Sequence, residues 1–270
     1  MTVVRVHGAE LFVQDSGGDG PPVVFLHGWL ADGRMFDPQV QGLRDHFRCV
    51  TVDFRGAGRS NHPTSGYQVE QHAADVRATL RHLGLARVHL VGFSLGGMVA
   101  MRLAARDPDL LASVTLGNTS ARANPGTKVA PYLSVALLIR IVGPSLPGDL
   151  DQGLFGTAFR NDPANRQARR TWQQRRSQLD RTCAVRTLAG IMLRPDIRAE
   201  LPDISCPTLV ITGSEDAQTP AAHGREMHDA IPGSRYLELP GVGHCAPIET
   251  PNHVTDALSD FLTDLPVLTK

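Results

Sequence analysis

The sequence of 270 residues has no surplus of charge of either sign, because lysine plus arginine and aspartate plus glutamate both total 27. A surface that binds nucleic acid is normally strongly basic, so this balance gives no support for a nucleic-acid partner. Long apolar runs are also missing, since the most apolar stretch, at 133–142, is interrupted by Ser134 and Arg140. A transmembrane helix needs about 20 consecutive apolar residues, so the sequence excludes a transmembrane helix.

Cysteines are few, and the gaps between Cys49, Cys183, Cys206 and Cys245 match neither a zinc-binding nor a redox spacing. We therefore expect buried thiols, no metal centre and no cofactor. The first seven residues have neither the basic nor the apolar region of a signal peptide, so we expect a cytoplasmic protein.

An alternation of two patterns organises the two ends of the chain. Short apolar runs predict strands at 3–7, 11–14, 23–26, 48–52, 88–93, 113–116, 208–212 and 235–239. Helical spacing predicts helices at 36–46, 69–83, 95–105, 221–230 and 254–262. Strands that alternate with helices imply right-handed crossovers, and the predicted fold is therefore α/β with a mostly parallel, doubly wound sheet.

The strand pattern stops between residues 120 and 200. This region has helix-like pieces with prolines between them, at 125, 131, 144, 147 and 163. The simplest interpretation is a helical insertion of about 80 residues into an α/β core. We therefore predict a core formed by 1–119 and 201–270, and a helical cap at 120–200.

The most specific local motif is the hexapeptide GFSLGG at 92–97, between a predicted buried strand and a predicted helix. In that context G-x-S-x-G forms a sharp turn that lifts a serine hydroxyl above the sheet, where it can act as a nucleophile. Side chains at positions 92 and 96 would collide with the neighbouring strand and helix, which explains the glycines. The motif predicts that Ser94 is a catalytic nucleophile, although the same letters also fit the small-residue start of a helix.

A serine nucleophile needs a general base, and the base needs an acid that orients it. After such a turn the expected chain order is serine, acid, histidine, each beyond the carboxyl end of a strand. His244 lies in a glycine-rich loop after the last predicted strand, and Asp216 follows the strand before it. Glu215 is a rival for the acid, whereas the loop at 117–119 has no carboxylate, which favours Asp216.

Acyl transfer passes through an oxyanion that two preorganised N–H groups stabilise. The backbone N–H of Leu95, directly after Ser94, is one predicted donor. The other is the backbone N–H of Trp29, in the loop HGW at 27–29 that follows an early strand. We expect His27 to brace this loop rather than to transfer protons.

Four ordered motifs together resemble the α/β-hydrolase superfamily, in particular its large group of bacterial esterases, perhydrolases and lactonases. They are HGW at 27–29, DFRGAGRS at 53–60, GFSLGG at 92–97, and Asp216 with GH at 243–244. The resemblance covers 1–119 and 201–270, and it implies an α/β-hydrolase core. Within the second motif, GAG lacks the third spaced glycine of a dinucleotide loop, so we expect a structural turn there.

Residue identities narrow the choice within that superfamily. Ser94 argues against haloalkane dehalogenases and epoxide hydrolases, whose nucleophile is aspartate. Perhydrolase relatives usually have proline where Leu30 stands, and the stretch at 29–36 is similar to aryl and carboxyl esterases. The region at 181–251 resembles 3-oxoadipate enol-lactonases instead. We therefore expect a serine hydrolase that cleaves a small carboxylic ester or lactone through an acyl-enzyme.

Three alternatives use the same scaffold: a hydrolase-like receptor or regulator of small molecules, a perhydrolase, and a hydrolase of C–C bonds. A receptor would cleave a model ester about once, whereas an enzyme would turn over many times. The expected partner is a small-molecule ester or lactone, and the expected state is a monomer or a homodimer.

The predicted cap contains a strongly basic segment. Eight arginines and two aspartates lie between 160 and 186, which gives a local net charge of +6. Such a segment is typical of a solvated helical face. Alternatively, one or two of these arginines point into the pocket and bind a substrate carboxylate.

Overall fold

The structure, a computed structural model, describes residues 1–124, 129–145 and 153–265. Its eight strands are β1 (Thr2–Val6), β2 (Ala9–Asp15), β3 (Pro22–Leu26), β4 (Arg48–Val52), β5 (Val88–Phe93), β6 (Leu111–Gly117), β7 (Thr208–Gly213) and β8 (Arg235–Leu239). They form one sheet in the order β1-β2-β4-β3-β5-β6-β7-β8. The β1–β2 and β2–β4 pairs are antiparallel and the other pairs are parallel. The predicted α/β fold with a mostly parallel sheet is confirmed.

The described helices follow the strands and fill the crossovers. They are α1 (Asp37–Leu43), α2 (Val69–His82), α3 (Leu95–Arg106), α4 (Val129–Val142), α5 (Thr157–Asn161), α6 (Arg166–Ser177), α7 (Arg181–Met192), α8 (Ala221–Ala230), α9 (Ala246–Glu249) and α10 (Pro251–Thr263). Short 3-10 helices lie at Gly33–Phe36, Pro108–Leu110, Pro163–Asn165 and Arg198–Asp203.

The central strands of the sheet are buried on both faces, as their continuous apolar runs predict. Successive side chains of a strand point to opposite faces. In β3, Val24 and Leu26 accordingly pack in one apolar cluster with α2 and α3. Val23 and Phe25 pack in the other cluster, with α1 and α10. Because β5, β6 and β7 pair in parallel, their carboxyl ends reach the same edge of the sheet.

The chain between β6 and β7 is helical, and no strand occurs in its described part. We refer to residues 120–200 as the cap segment, although the exact limits of a cap domain stay a prediction. Helix α4 exposes a row of large apolar side chains, at Leu133, Leu137 and Ile141. None of the described helices is both long enough and apolar enough to cross a membrane. All four cysteines are described and buried, and no disulfide joins them.

Candidate active site

Ser94 occupies the turn between β5 and α3, with φ of 54° and ψ of −116°. A left-handed backbone costs a residue other than glycine about 1–3 kcal/mol, so the surrounding structure must hold it. A Cβ at Gly96 would collide with the carbonyl of Leu26, and a Cβ at Gly92 would collide with the backbone of Gly96. The backbone N–H of Ser94 donates to the Gly117 carbonyl at 2.9 Å. The glycines thus allow the close packing that this turn requires.

Three of the predicted site residues lie in contact. The distance from His244 Nε2 to Ser94 Oγ is 2.9 Å, and the distance from His244 Nδ1 to Asp216 Oδ2 is also 2.9 Å. An ionised carboxylate only accepts hydrogen bonds, so Nδ1 carries the proton and Nε2 accepts from the Ser94 hydroxyl. This arrangement can deprotonate the serine as it attacks a carbonyl.

Asp216 is buried among hydrogen-bond donors. Its Oδ2 accepts from the Asn118 amide at 2.9 Å and from the Thr219 hydroxyl at 2.7 Å. Its Oδ1 accepts from the backbone N–H of Gln218 at 2.8 Å and of Thr219 at 2.9 Å. Burial alone would raise the pKa of Asp216, but adjacent His244 and these donors outweigh burial and lower that pKa to about 2. Asp216 is therefore ionised at neutral pH.

Asn118 and Thr219 were not among the predicted site residues. Asn118 follows β6, and its amide also donates to the Gly243 carbonyl at 3.1 Å. It thereby ties the acid to the loop that carries His244. A polar side chain at the carboxyl end of a central strand is the signal that could have identified Asn118 from sequence.

Glu215, the rival acid, has a different partner. Its Oε2 accepts from the backbone N–H of Thr157 at 2.6 Å. Thr157 is the first residue of α5, and the N-terminus of a helix stabilises a nearby carboxylate. Of these two adjacent carboxylates, Asp216 contacts the histidine, and Glu215 contacts the cap segment.

The loop after β3 lies against the nucleophile. A Cβ at Gly28 would be 3.3 Å from the Ser94 Cβ. His27 is buried, donates from Nδ1 to the Gly28 carbonyl at 2.7 Å, and accepts at Nε2 from the Phe54 N–H at 3.0 Å. These bonds brace the loop, which is the role expected of His27.

Trp29 lies in the loop that packs against Ser94, and Leu95 directly follows Ser94. The Trp29 indole donates to the Ala184 carbonyl of α7 at 2.9 Å, which anchors the loop to the cap segment. In the described part of the chain, the backbone N–H of Trp29 and that of Leu95 donate to no other group. Their role in binding an oxyanion stays a prediction.

A cavity opens on Ser94 and His244. Its apolar walls come from the loop after β3 (the oxyanion loop), from α3, α4 and α7, and from the chain before α5. They include Trp29, Leu30, Met98, Val135, Leu154, Leu188 and Ile191. Its polar lining consists of Asn124, Tyr132, Arg176, Arg194, Gln218 and Thr219. We call this space the catalytic cavity. Its mixture of apolar walls and few polar groups suits a small organic substrate.

The basic segment at 160–186 is fully described, and it mostly contacts the protein itself. Arg175 donates to the Arg34 carbonyl at 2.8 Å, and Arg181 donates to the Ile141 carbonyl at 2.9 Å. Of its eight arginines, Arg176 is the one that lines the catalytic cavity. Arg194, the other arginine of the cavity, lies beyond the segment, so the sequence analysis missed it.

The cap segment also holds the loop of His244. The backbone N–H of His244 donates to the Leu154 carbonyl at 2.8 Å. Glu249 joins both sides, because its Oε2 accepts from the N–H of Gly156 at 2.7 Å and of Gly243 at 2.9 Å. Burial raises the pKa of Glu249. The sequence gives no signal for this contact, since its partners are far apart along the chain.

One group of possible metal ligands occurs among the described residues, away from the lining of the catalytic cavity. Ligand atoms of His62, Asp180 and Cys183 all lie within 4.8 Å of one another. Asp180 accepts from the backbone N–H of Cys183 at 2.8 Å and so caps α7. Burial raises the pKa of Cys183, which disfavours the thiolate that binds metals. We therefore interpret this group as a helix cap.

The sheet topology, the turn at Ser94 and the contacts of His244 define a class of protein. Residues 21–251 match the family model described as alpha/beta hydrolase fold. The chain belongs to this family of hydrolases, as the sequence motifs predict.

Similar proteins place the chain in the esterase and lactonase group of that family. The enol-lactonase from Burkholderia xenovorans LB400 has a TM-score of 0.89 and 32% identity, over 97% of this chain and 100% of that one. A thermophilic esterase from Thermogutta terrifontis, solved with malate bound, has a TM-score of 0.86 and 32% identity, over 97% of both chains. The AB hydrolase superfamily protein YisY from Bacillus subtilis is 31% identical, over 93% of this chain and 94% of the relative.

Proposed function

We propose that this protein is a serine hydrolase that cleaves a small carboxylic ester or lactone through an acyl-enzyme. The observation that carries the proposal is the unbroken chain of hydrogen bonds from Ser94 through His244 to Asp216, which opens on the catalytic cavity. The similarity to an enol-lactonase and to an esterase supports the choice of substrate bond.

In the proposed reaction Ser94 Oγ attacks the carbonyl carbon while His244 Nε2 takes the hydroxyl proton. Asp216, ionised and hydrogen-bonded to Nδ1, stabilises the imidazolium that forms. The backbone N–H groups of Trp29 and Leu95 hold the oxyanion. His244 then protonates the leaving alkoxide, and a water molecule activated by the same histidine hydrolyses the acyl-enzyme.

The conformation of the oxyanion loop supports water rather than peroxide as the acceptor. Leu30 has φ of 59°, whereas the proline ring fixes φ near −65°. A perhydrolase-type proline at position 30 would therefore require a different loop. This argument favours the hydrolase over the perhydrolase alternative.

The test is a screen of 4-nitrophenyl esters, simple lactones and acidic enol-lactones, together with labelling by a serine-reactive phosphonate. We expect many turnovers, and an adduct located on Ser94 by peptide mass. Ser94→Ala and His244→Ala should each lower kcat by at least about 10³-fold with the melting temperature retained. His46→Ala, at an exposed histidine, is the matched control.

Two outcomes would contradict the proposal. Labelling at Ser94 with about one turnover per molecule would indicate a receptor instead. Turnover that survives in Ser94→Ala would show that another group carries the chemistry.

A further inference from the structure

Arg194 is a buried cation in the wall of the catalytic cavity. It is 7% exposed and lines the same space as Ser94 and His244. Its Nη1 donates to the Ile191 carbonyl at 2.8 Å. Its Nε is buried and has no hydrogen-bond partner in the described structure. One edge of the guanidinium is therefore left without an acceptor.

Two other buried arginines of this protein, Arg55 and Arg102, have an acidic partner. Arg55 is 3% exposed and pairs with Asp75 at 2.6 Å. Arg102 is 1% exposed and pairs with Glu70 at 2.8 Å. Burying a guanidinium is costly unless an opposite charge compensates it. Arg194 differs from both, because no described carboxylate forms an ion pair with it.

The acid nearest in sequence is already engaged. Asp196 pairs with Arg198 at 2.8 Å and accepts from the backbone N–H of Ala123 at 3.3 Å. Burial lowers the pKa of Arg194 to about 10, so its side chain still carries the positive charge at neutral pH. The catalytic cavity therefore presents a positive charge that the described protein does not neutralise.

We propose that Arg194 binds a carboxylate of the substrate, so that the preferred substrates are esters or lactones that carry a free carboxylate group. The inference rests on the proposed function and specifies its substrate class. A carboxylate accepts two parallel hydrogen bonds from the Nε and Nη2 edge of an arginine. One guanidinium also balances the single charge of one carboxylate.

The residues around Arg194 indicate which kind of spacer joins the carboxylate of the substrate to its reacting carbonyl. Asn124 donates to the same Ile191 carbonyl at 2.9 Å and so helps to order the end of α7 beside Arg194. The apolar side chains of Leu188 and Val135 line the same cavity as Ser94 and Arg194. A short apolar spacer between the reacting carbonyl and the carboxylate fits this lining.

The test compares 4-nitrophenyl hydrogen adipate with its methyl-capped neutral counterpart, at high ionic strength so that exposed charges are screened. The wild type should have a KM for the acid about 10-fold lower or more than for the neutral ester. Arg194→Met should remove this preference by raising the KM for the acid more than the KM for the neutral ester. Arg194→Lys should restore it only in part, because lysine lacks the planar fork.

Arg140→Met is the matched control, because it removes the same charge from an exposed position of α4. This control should change the KM for neither substrate. Melting curves of Arg194→Met and Arg194→Lys establish that both variants fold. A wild type that prefers the neutral ester, or an Arg194→Met variant that loses both substrates equally, would overturn the carboxylate site and leave the proposed function intact.

Calorimetry with hexanoate, a carboxylate that has no ester bond to hydrolyse, separates the two proposals in the other direction. The wild type should bind this ligand at least about 10-fold more tightly than Arg194→Met. Binding of that kind without turnover of any ester would reject the proposed function and retain the carboxylate site. Equal binding to wild type and Arg194→Met would reject the site.

Discussion

In the α/β core the buried carboxylate of Asp216 has hydrogen-bond donors for both oxygens, whereas the cap segment has exposed apolar side chains and a buried cation without an acidic partner among the described residues. Asp216 accepts hydrogen bonds on both oxygens from the loops around it. Arg194, at the end of the cap segment, has a guanidinium edge without an acceptor, and Leu137 of α4 is 61% exposed. From this difference we propose that the core determines the reaction and that the cap segment selects the substrate.

The largest expected effect is a difference in kcat between variants of two neighbouring carboxylates. Asp216 contacts His244 of the core, and Glu215 contacts the cap segment. Asp216→Asn should lower kcat by about 10³-fold, because an amide favours the wrong tautomer of His244. Glu215→Gln should leave kcat within about 3-fold, since Glu215 contacts Thr157 instead. Steady-state kinetics with one ester measures both, and equal losses would contradict the assignment of the acid.

The next comparison concerns packing in the two regions. Leu90 of β5 is fully buried, so Leu90→Ala should lower the free energy of unfolding by about 2–5 kcal/mol. Leu137→Ala should change it by less than about 0.5 kcal/mol, because the side chain is mostly exposed. Urea denaturation measures both values. A comparable loss at Leu137 would mean that the apolar row of α4 is covered in solution.

Mild acid should destabilise the core rather than the cap segment, because none of the eleven histidines lies in the cap segment. Burial lowers the pKa of His72 to about 3, below the value of about 6.5 in an unfolded chain. The unfolded state therefore binds the proton first. The contribution of His72 to the free energy of unfolding is fully present above about pH 6.5. Below that pH it falls by roughly 1.4 kcal/mol per pH unit until the pKa of the folded state is reached.

His72→Leu removes this contribution. Between pH 7 and pH 5 the variant should lose about 2 kcal/mol less unfolding free energy than the wild type. Urea denaturation at the two pH values measures the difference. Identical pH dependence in both proteins would show that His72 is not the group that titrates.

The smallest effect is expected where the two regions meet, at Glu249. Glu249 accepts from three backbone N–H groups, two at Oε2 and that of Cys245 at Oε1, whereas the glutamine of Glu249→Gln has only one oxygen. The loop of His244 should then be positioned less well, which should lower kcat roughly 10-fold and leave KM nearly unchanged. Glu238→Gln, at a glutamate that pairs with Arg225, is the control. A change in KM alone would show that Glu249 shapes the cavity instead.

Local sequence patterns were sufficient where the structure depends on near neighbours. The strands follow from apolar runs, and the turn of Ser94 follows from two glycines at fixed spacing. Contacts between distant segments were beyond such patterns: Asn118 reaches Asp216 across 98 positions, and Gly156 reaches Glu249 across 93. The charge count likewise pointed to arginines of the basic segment, and several of these bind backbone carbonyls. Composition does not show which guanidinium lacks an acceptor. Arg194 could be recognised only from its burial.

The backbone of Ser94 also limits how the protein can be made more robust. Glycine adopts a φ of 54° without the penalty that a Cβ imposes, so glycine is the residue that the local backbone prefers. Glycine has no hydroxyl and cannot form the acyl-enzyme. Stability and chemistry therefore favour different residues at this position. An engineering campaign that selects for heat resistance alone would tend to remove the nucleophile.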